Sequence, residues 1–292
     1  MFINEILDNG GITTSFEVFP PKNNAPFEPV LKSVEKLSLL KPDFISVTYG
    51  AGGGTSQNTP KIASYIQNEL HTPSMAHLTC ASSTKEEIDA ILSQLRDIGV
   101  DNILALRGDL PENYNPDDSN YYRYASQLVE RILDFGGFSV GAACYPEGHV
   151  ESKNTHEDLI HLKEKVDCGA QYLVTQMFFD NSALYSFLYR ALKVGIDVPV
   201  IAGIMPVMNP NQIKRSCALS GATLPSRFKI MLDKFSDDPV SLRQAGIAYA
   251  TEQIIDLIAN GVNGIHIYTM NKPDVAAGIQ KNLSEILGKS DD

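Results

Sequence analysis

Residues 76–109 read AHLTCASSTKEEIDAILSQLRDIGVDNILALRGD, and the rest of the chain repeats their plan. In Ala76-His77-Leu78-Thr79-Cys80, alternation puts His77 and Thr79 on one face of a strand and Leu78 on the other. A helical stripe follows, formed by Ile88, Ile91, Leu92 and Leu95. Thr84 and Glu87 make a capping box at its start, and Gly99 fits its stop. Leu104-Ala105-Leu106-Arg107-Gly108-Asp109 is a second apolar strand with polar groups at its end. A strand, a helix and a strand within roughly 30 residues form a parallel βαβ unit.

Working outward, the same reading places strands at about 14–20, 43–49, 73–80, 102–109, 138–146, 170–179, 198–206 and 264–270. Helical periodicity separates them. The step lengthens before the last strand, where Leu224–Phe235 and Pro239–Ala259 read as extra helices. Strict alternation over eight strands predicts an α/β fold, a (β/α)8 TIM barrel with extra helices before the last strand. A doubly wound open sheet is the alternative. No Pro/Gly/Ser-rich linker divides residues 1–292, so a single domain is expected.

The formal net charge of −11, with no Lys/Arg run, argues against nucleic acid as a partner. The N-terminal segment has no basic, then apolar, leader pattern, and no uninterrupted apolar stretch is long enough to span a bilayer, so no membrane association is expected. Cys80, Cys144, Cys168 and Cys217 are widely spaced, as in reduced, cytoplasmic proteins. His77, His149, His156, His161 and His266 make no helix pair with metal spacing, so no metal site is expected.

In such a barrel the C-terminal strand ends carry the active site. Here they present Glu17; Thr48 and Tyr49; His77 and Thr79; Arg107 and Asp109; Tyr145, Glu147 and His149; Gln176; Met205 and Pro206; Tyr268 and Asn271. Strand starts look poorer in such groups.

Glu17 lies in Ser15-Phe16-Glu17-Val18-Phe19-Pro20-Pro21-Lys22, between aromatic and β-branched residues. Burying an ionised carboxylate is costly, so a Glu here serves either as a protonated acid or is neutralised by a Lys or Arg across the core. Arg107-Gly108-Asp109 sets a guanidinium and a carboxylate around a glycine that admits a ligand to the backbone, or makes an Arg–Asp pair that closes a barrel layer. Gly50-Ala51-Gly52-Gly53-Gly54-Thr55 matches no dinucleotide or P-loop pattern, and serves as an anion nest or as a loop kept small for access. Asp158, His161 and Lys165 share one helix face, either solvated or turned toward the same site.

Together these residues resemble the methylenetetrahydrofolate reductase family, bacterial type and catalytic domain only. The stretches that carry the resemblance are SFEVFPPK, FISVTYGAGG, HLTC, LALRGD, YPEGH, TQMFFD, PVIAGIMPV and IHIYTMN, which fall on all eight predicted strands. The resemblance implies an FAD-dependent oxidoreductase that reduces 5,10-methylenetetrahydrofolate to 5-methyltetrahydrofolate with NADH or NADPH, in ping-pong fashion, for methionine synthesis. A homo-oligomer is also implied.

Carried over by motif, Glu17 would be the general acid, and Asp109 would act near both flavin and folate. Thr48, Tyr49, Ala51, His77, Arg107, Gly108, Asp109, Tyr145 and His149 would bind the cofactor, Thr48 on its nicotinamide or folate side. Asp158, His161, Glu164 and Lys165 would join them from the helix after YPEGH, with Ala125 and Ser152 matched by neighbourhood. Gln176, Gln212 and Lys272 would meet the substrate with Asp109. Two positions depart from the family pattern: Lys272 stands where Arg is common, and Ser216 where some relatives have an aromatic. A pterin-dependent methyltransferase, a lyase and a ligand-binding regulatory barrel are the rival functions.

Overall fold

A computed structural model describes residues 1–21, 25–49, 58–110, 115 and 118–289. Eight strands run β1 (Thr13–Val18), β2 (Phe44–Val47), β3 (Ser74–Thr79), β4 (Asn102–Leu106), β5 (Ser139–Cys144), β6 (Tyr172–Thr175), β7 (Val200–Ile204) and β8 (Gly264–Tyr268). Each pairs in parallel with the next, and β8 returns to β1, so the sheet closes into a barrel. The expected (β/α)8 architecture is the observed one.

Helix α1 (Ile3–Asp8) precedes the barrel, and α2 (Glu28–Ser38) and α3 (Asn58–Ser64) follow β1 and β2, α3 running on into a π-helical turn at Tyr65–Glu69. The outer layer continues with α4 (Lys85–Asp97), α5 (Ala125–Phe135), α6 (Thr155–Asp167), α7 (Asn181–Lys193) and α8 (Pro210–Ser220). The extra helices are α9 (Ser226–Phe235) and α10 (Pro239–Ala259), and α11 (Pro273–Asn282) and α12 (Ser284–Leu287) end the fold. Thr84 and Glu87 cap α4 reciprocally, at 3.2 and 2.8 Å. Gly99 follows α4 at φ +74°, a left-handed conformation that glycine adopts freely.

Alternation divides each strand between two cores. Phe16, Val18, Ile45, Val47, Ala76 and Leu78 face outward into the helix layer. Phe44, Met75, Leu104, Tyr172 and Ile201 face inward, where Ile3 and Ile6 of α1 plug the bottom of the barrel. The strand starts are richer in polar groups than expected: Thr13, Ser74, Asn102 and Ser139 are all buried there. Their work is structural. Asn102 accepts from Ile3 N at 2.8 Å and donates to Ser74 O at 3.1 Å, tying the plug to the wall.

The expected strands overran their C-terminal ends. Arg107, Gly108 and Asp109 lie beyond β4, because the chain leaves the ladder there: Cys80 N and Ala81 N both turn to Arg107 O, at 3.2 and 2.8 Å. Phe19 also lies beyond β1, and its amide is satisfied by Asn271 Oδ1.

Candidate active site

A cleft of about 690 Å³ opens at the C-terminal strand ends. Glu17 reaches it from β1 and Gln176 from the loop after β6; Met205 contributes from just beyond β7 and Tyr268 from the end of β8. The loop after β4 brings Arg107, Gly108 and Asp109. The loop after β5 brings Tyr145, His149 and Ser152, and α6 adds Asp158, His161, Glu164 and Lys165. Ala125 of α5 and Ser216 of α8 complete the rim.

Other expected residues stand apart from this lining. Thr48 donates its N–H to Val18 O, and Tyr49 meets Ser83 Oγ at 3.4 Å. Gln212 sits in the first turn of α8, its N–H on the Asn209 cap, and Lys272 is exposed before α11. Ala51, with the rest of the Gly50–Thr55 loop, lies outside the described residues. His77 lies beneath the cleft and contacts Glu17.

Arg107 does not pair with Asp109, as one alternative held. Its guanidinium grips Glu151 in a fork, at 2.6 and 2.7 Å. Glu151 comes from the turn before α6, and nothing in the local pattern of either segment marks the pair. Its hydrogen bonds to Arg107 hold the Glu151 carboxyl below its usual range.

The α6 face is turned partly inward. Lys165 Nζ donates to Ala143 O at 2.6 Å, and burial pulls its ammonium below the usual lysine range. Asp158 is buried and accepts from Ser152 Oγ at 3.3 Å. His161 and Glu164 remain exposed and meet each other at 3.4 Å, so only they keep the solvated character that the alternative reading gave this helix. Tyr145 and His149 pack edge to face at 4.6 Å. Burial pushes the Tyr145 hydroxyl up to about 12 and draws the His149 imidazole down.

Glu17 is only 6% exposed. One of its oxygens, Oε2, lies 3.6 Å from His77 Nε2 and 3.8 Å from His266 Nε2. Burial lowers the His77 imidazole to about 4 against the opposing pull of Glu17, so it is neutral near pH 7 and offers no cation. Among the described residues no Lys or Arg forms an ion pair with Glu17, so the neutralising partner of the alternative reading is not found there. The carboxylate's backbone is pinned from β8, where Thr269 Oγ1 donates to Glu17 O at 2.6 Å. His266, Ser15, Ser46 and Glu151 were not singled out as site residues from the sequence. His266 had one signal: it alternates with Tyr268 on β8 and so faces inward.

The arrangement suits a large anionic, partly planar cofactor. Arg107 and Lys165 offer positive charge on two walls. Gly108, at φ +80°, leaves backbone open, and a Cβ there would meet Thr79 Cβ at 2.8 Å. His77 Nε2 is buried with no hydrogen-bond partner among the described residues.

Comparison with known proteins decides the family. The model of the methylenetetrahydrofolate reductase family matches residues 2–284. The chain belongs to the methylenetetrahydrofolate reductase family. The 5,10-methylenetetrahydrofolate reductase of Escherichia coli (strain K12) is 36% identical over 274 residues, which cover 94% of this chain and 91% of that protein. Methylenetetrahydrofolate reductase (NADH) 1 of Arabidopsis thaliana is 33% identical over 297 residues, 97% of this chain and 50% of that longer protein. Among solved structures, a Clostridium thermocellum protein that binds two copies of 5-methyl-5,6,7,8-tetrahydrofolic acid superposes with a TM-score of 0.66 at 19% identity, covering 99% of this chain and 100% of that chain. A 2,3-dimethylmalate lyase gives 0.54 at 13% identity, covering 99% of this chain and 85% of that chain. At these identities both share only the barrel with this reductase-family chain.

Proposed function

We propose that the chain reduces 5,10-methylenetetrahydrofolate to 5-methyltetrahydrofolate with bound FAD, taking electrons from NADH or NADPH. The observation that carries this reading is Glu17, a buried carboxyl at the floor of a polar cleft in a barrel of this family. When bound, FAD supplies a two-electron acceptor and donor. Arg107, Tyr145, His149, Ser152, Asp158, His161, Glu164 and Lys165, with Gly108 and Ala125, are the residues of the cleft proposed to hold it, joined by Thr48, Tyr49 and His77 from outside the lining and by Ala51, which is not among the described residues.

The folate's five-membered ring must lose a C–N bond, and the departing nitrogen needs a proton. Glu17 delivers it as general acid. Asp109, across the same cleft, places negative charge near the cationic iminium that results. Gln176 orients the pterin from β6, and Gln212 contacts the folate from α8. Lys272 meets the carboxylate tail with a point charge in place of an arginine fork. One cleft takes donor and folate in turn, which gives ping-pong kinetics and a methyl group for methionine synthesis. Residues 1–292 act as one reductase unit in the cytoplasm, within a homo-oligomer, and NADH is the favoured donor because no basic pair marks a site for a 2′-phosphate.

Purified protein should be yellow and should release FAD on denaturation. Folded protein that carries and takes up no flavin would overturn the reading. Glu17→Gln should keep FAD and accept electrons from nicotinamide, but its folate half-reaction should slow about 10²–10⁴-fold. Normal folate turnover by this variant removes the acid assignment.

A further inference from the structure

Beneath the cleft, Glu17 is enclosed by a layer of buried polar side chains: Ser15, Ser46, His77 and His266. His266 is held at both ring nitrogens. Its Nδ1 lies 2.7 Å from Ser15 Oγ, and its Nε2 lies 3.2 Å from Ser46 Oγ. Phe44 stacks on the ring at 5.9 Å and Tyr268 meets it edge-on at 5.5 Å, which fixes the ring plane.

Counting protons assigns the tautomer. Each serine hydroxyl has one hydrogen to give. Ser15 Oγ also lies 3.1 Å from Ile265 O, an acceptor only, so Ser15 can donate there and accept from His266 Nδ1–H. Ser46 then donates its hydrogen to the Nε2 lone pair. The reverse arrangement, with the proton on Nε2, leaves the fully buried Ser46 hydroxyl with no acceptor among the described residues, a costly loss in a dry layer. In the neutral imidazole the proton therefore sits on Nδ1, the Nε2 lone pair is taken by Ser46, and the ring edge 3.8 Å from Glu17 Oε2 carries no proton.

We propose that Ser15, acting through His266, is a positioning residue for the Glu17 acid: it holds the imidazole with its proton on Nδ1, so the ring edge nearest the carboxyl carries no proton. This rests on the reading of Glu17 as the proton donor. A separation of 3.8 Å exceeds a direct hydrogen bond, so the influence is that of a nearby dipole whose sign the tautomer sets. With the proton on Nδ1, the ring turns the negative end of its dipole toward Glu17. With the proton on Nε2 it would turn the positive end. The other groups at the carboxyl act alongside. His77 faces the same oxygen from β3 and is neutral near pH 7. Tyr268 borders it from β8, its hydroxyl given to Thr175 O at 2.5 Å and held well above the usual tyrosine range by burial first and by Glu17 second. Arg107, Asp109 and Lys165 line the cleft above.

The test joins a direct view of the tautomer to a pH profile. In protein carrying 15N-labelled histidine, with the His266 signal assigned by its loss in His266→Gln, NMR should show the Nδ1–H form. Ser15→Ala should move it toward Nε2–H. Reoxidation of the reduced flavin by methylenetetrahydrofolate should then lose its alkaline limb about half to one pH unit earlier in Ser15→Ala, because the ring then turns its positive edge toward the carboxylate. Ser15→Thr, which keeps a hydroxyl, should restore both signals. An Nε2–H form in the unmodified protein overturns the proposal, as does an alkaline limb that stays in place while the tautomer changes. Normal folate turnover by Glu17→Gln instead removes the acid reading, and the tautomer result survives it.

Discussion

Arg107 and Glu151 form a two-pronged ion pair at the wall of the cleft, with N···O distances of 2.6 and 2.7 Å. The fork that a guanidinium would offer to a phosphate is thus filled by a carboxylate of the same chain. The pair is far from buried, with side-chain exposures of 25% and 54%, so solvent screens much of its attraction. An anionic cofactor that uses Arg107 has to displace Glu151. Glu151→Gln should therefore tighten FAD binding about two- to fivefold, in keeping with the ~0.5–1 kcal/mol of an exposed pair. Titration followed by flavin fluorescence checks this, and weaker binding by the variant contradicts it.

His77 makes a prediction about acid. Burial lowers its imidazole from 6.5 to about 4 in the folded protein. The unfolded chain takes up this proton as pH falls below 6.5, whereas the folded chain resists until about 4. Stability from this group is therefore complete above pH 6.5 and is lost as pH falls toward 4. The loss amounts to about 3 kcal/mol. Urea denaturation at neutral pH and near pH 4 should show a smaller drop for His77→Gln than for the unmodified protein. Equal drops would contradict the assignment.

Asn271 bears on the aim of Glu17. Its side chain clamps the chain just beyond β1, accepting from Phe19 N at 2.9 Å and donating to Phe19 O at 2.8 Å. It also sits at φ +56°, which asparagine and glycine tolerate and alanine does not. Asn271→Gly removes only the clamp and should cost about 1–3 kcal/mol. Asn271→Ala adds backbone strain of roughly 1 kcal/mol. Denaturation midpoints should rank unmodified protein, then Gly, then Ala. Indistinguishable midpoints for the two variants would show that the positive φ carries no penalty.

Much of the fold was legible because it rests on local periodicity. In residues 76–109, alternation on β3, the stripe on α4 and the capping box at Thr84 each report a repeat within a few residues. The same holds for α10, whose bounds match the expected Pro239–Ala259 segment. Strand ends were less legible. Arg107 to Asp109 continue an apolar run, yet they leave the ladder because Arg107 O is taken by Cys80 and Ala81 of the preceding segment. No local pattern contains that partner.

From the sequence by itself came the barrel, the family resemblance and the placement of Glu17 at a strand end, because side-chain alternation, helix periodicity and motif order are properties of neighbours along the chain. Tertiary structure alone decided what surrounds Glu17. His266 lies 249 positions along the chain and Ser15 two positions back, and they meet only because closing the barrel lays β8 against β1. Packing between neighbouring βα units, not any motif, gave Arg107 to Glu151, set Lys165 at the cleft wall and left His77 buried without a hydrogen-bond partner at Nε2 among the described residues. Burial and hydrogen-bond supply depend on packing between segments apart in sequence, and these shift the titration of His77, Tyr145, Glu151 and Lys165.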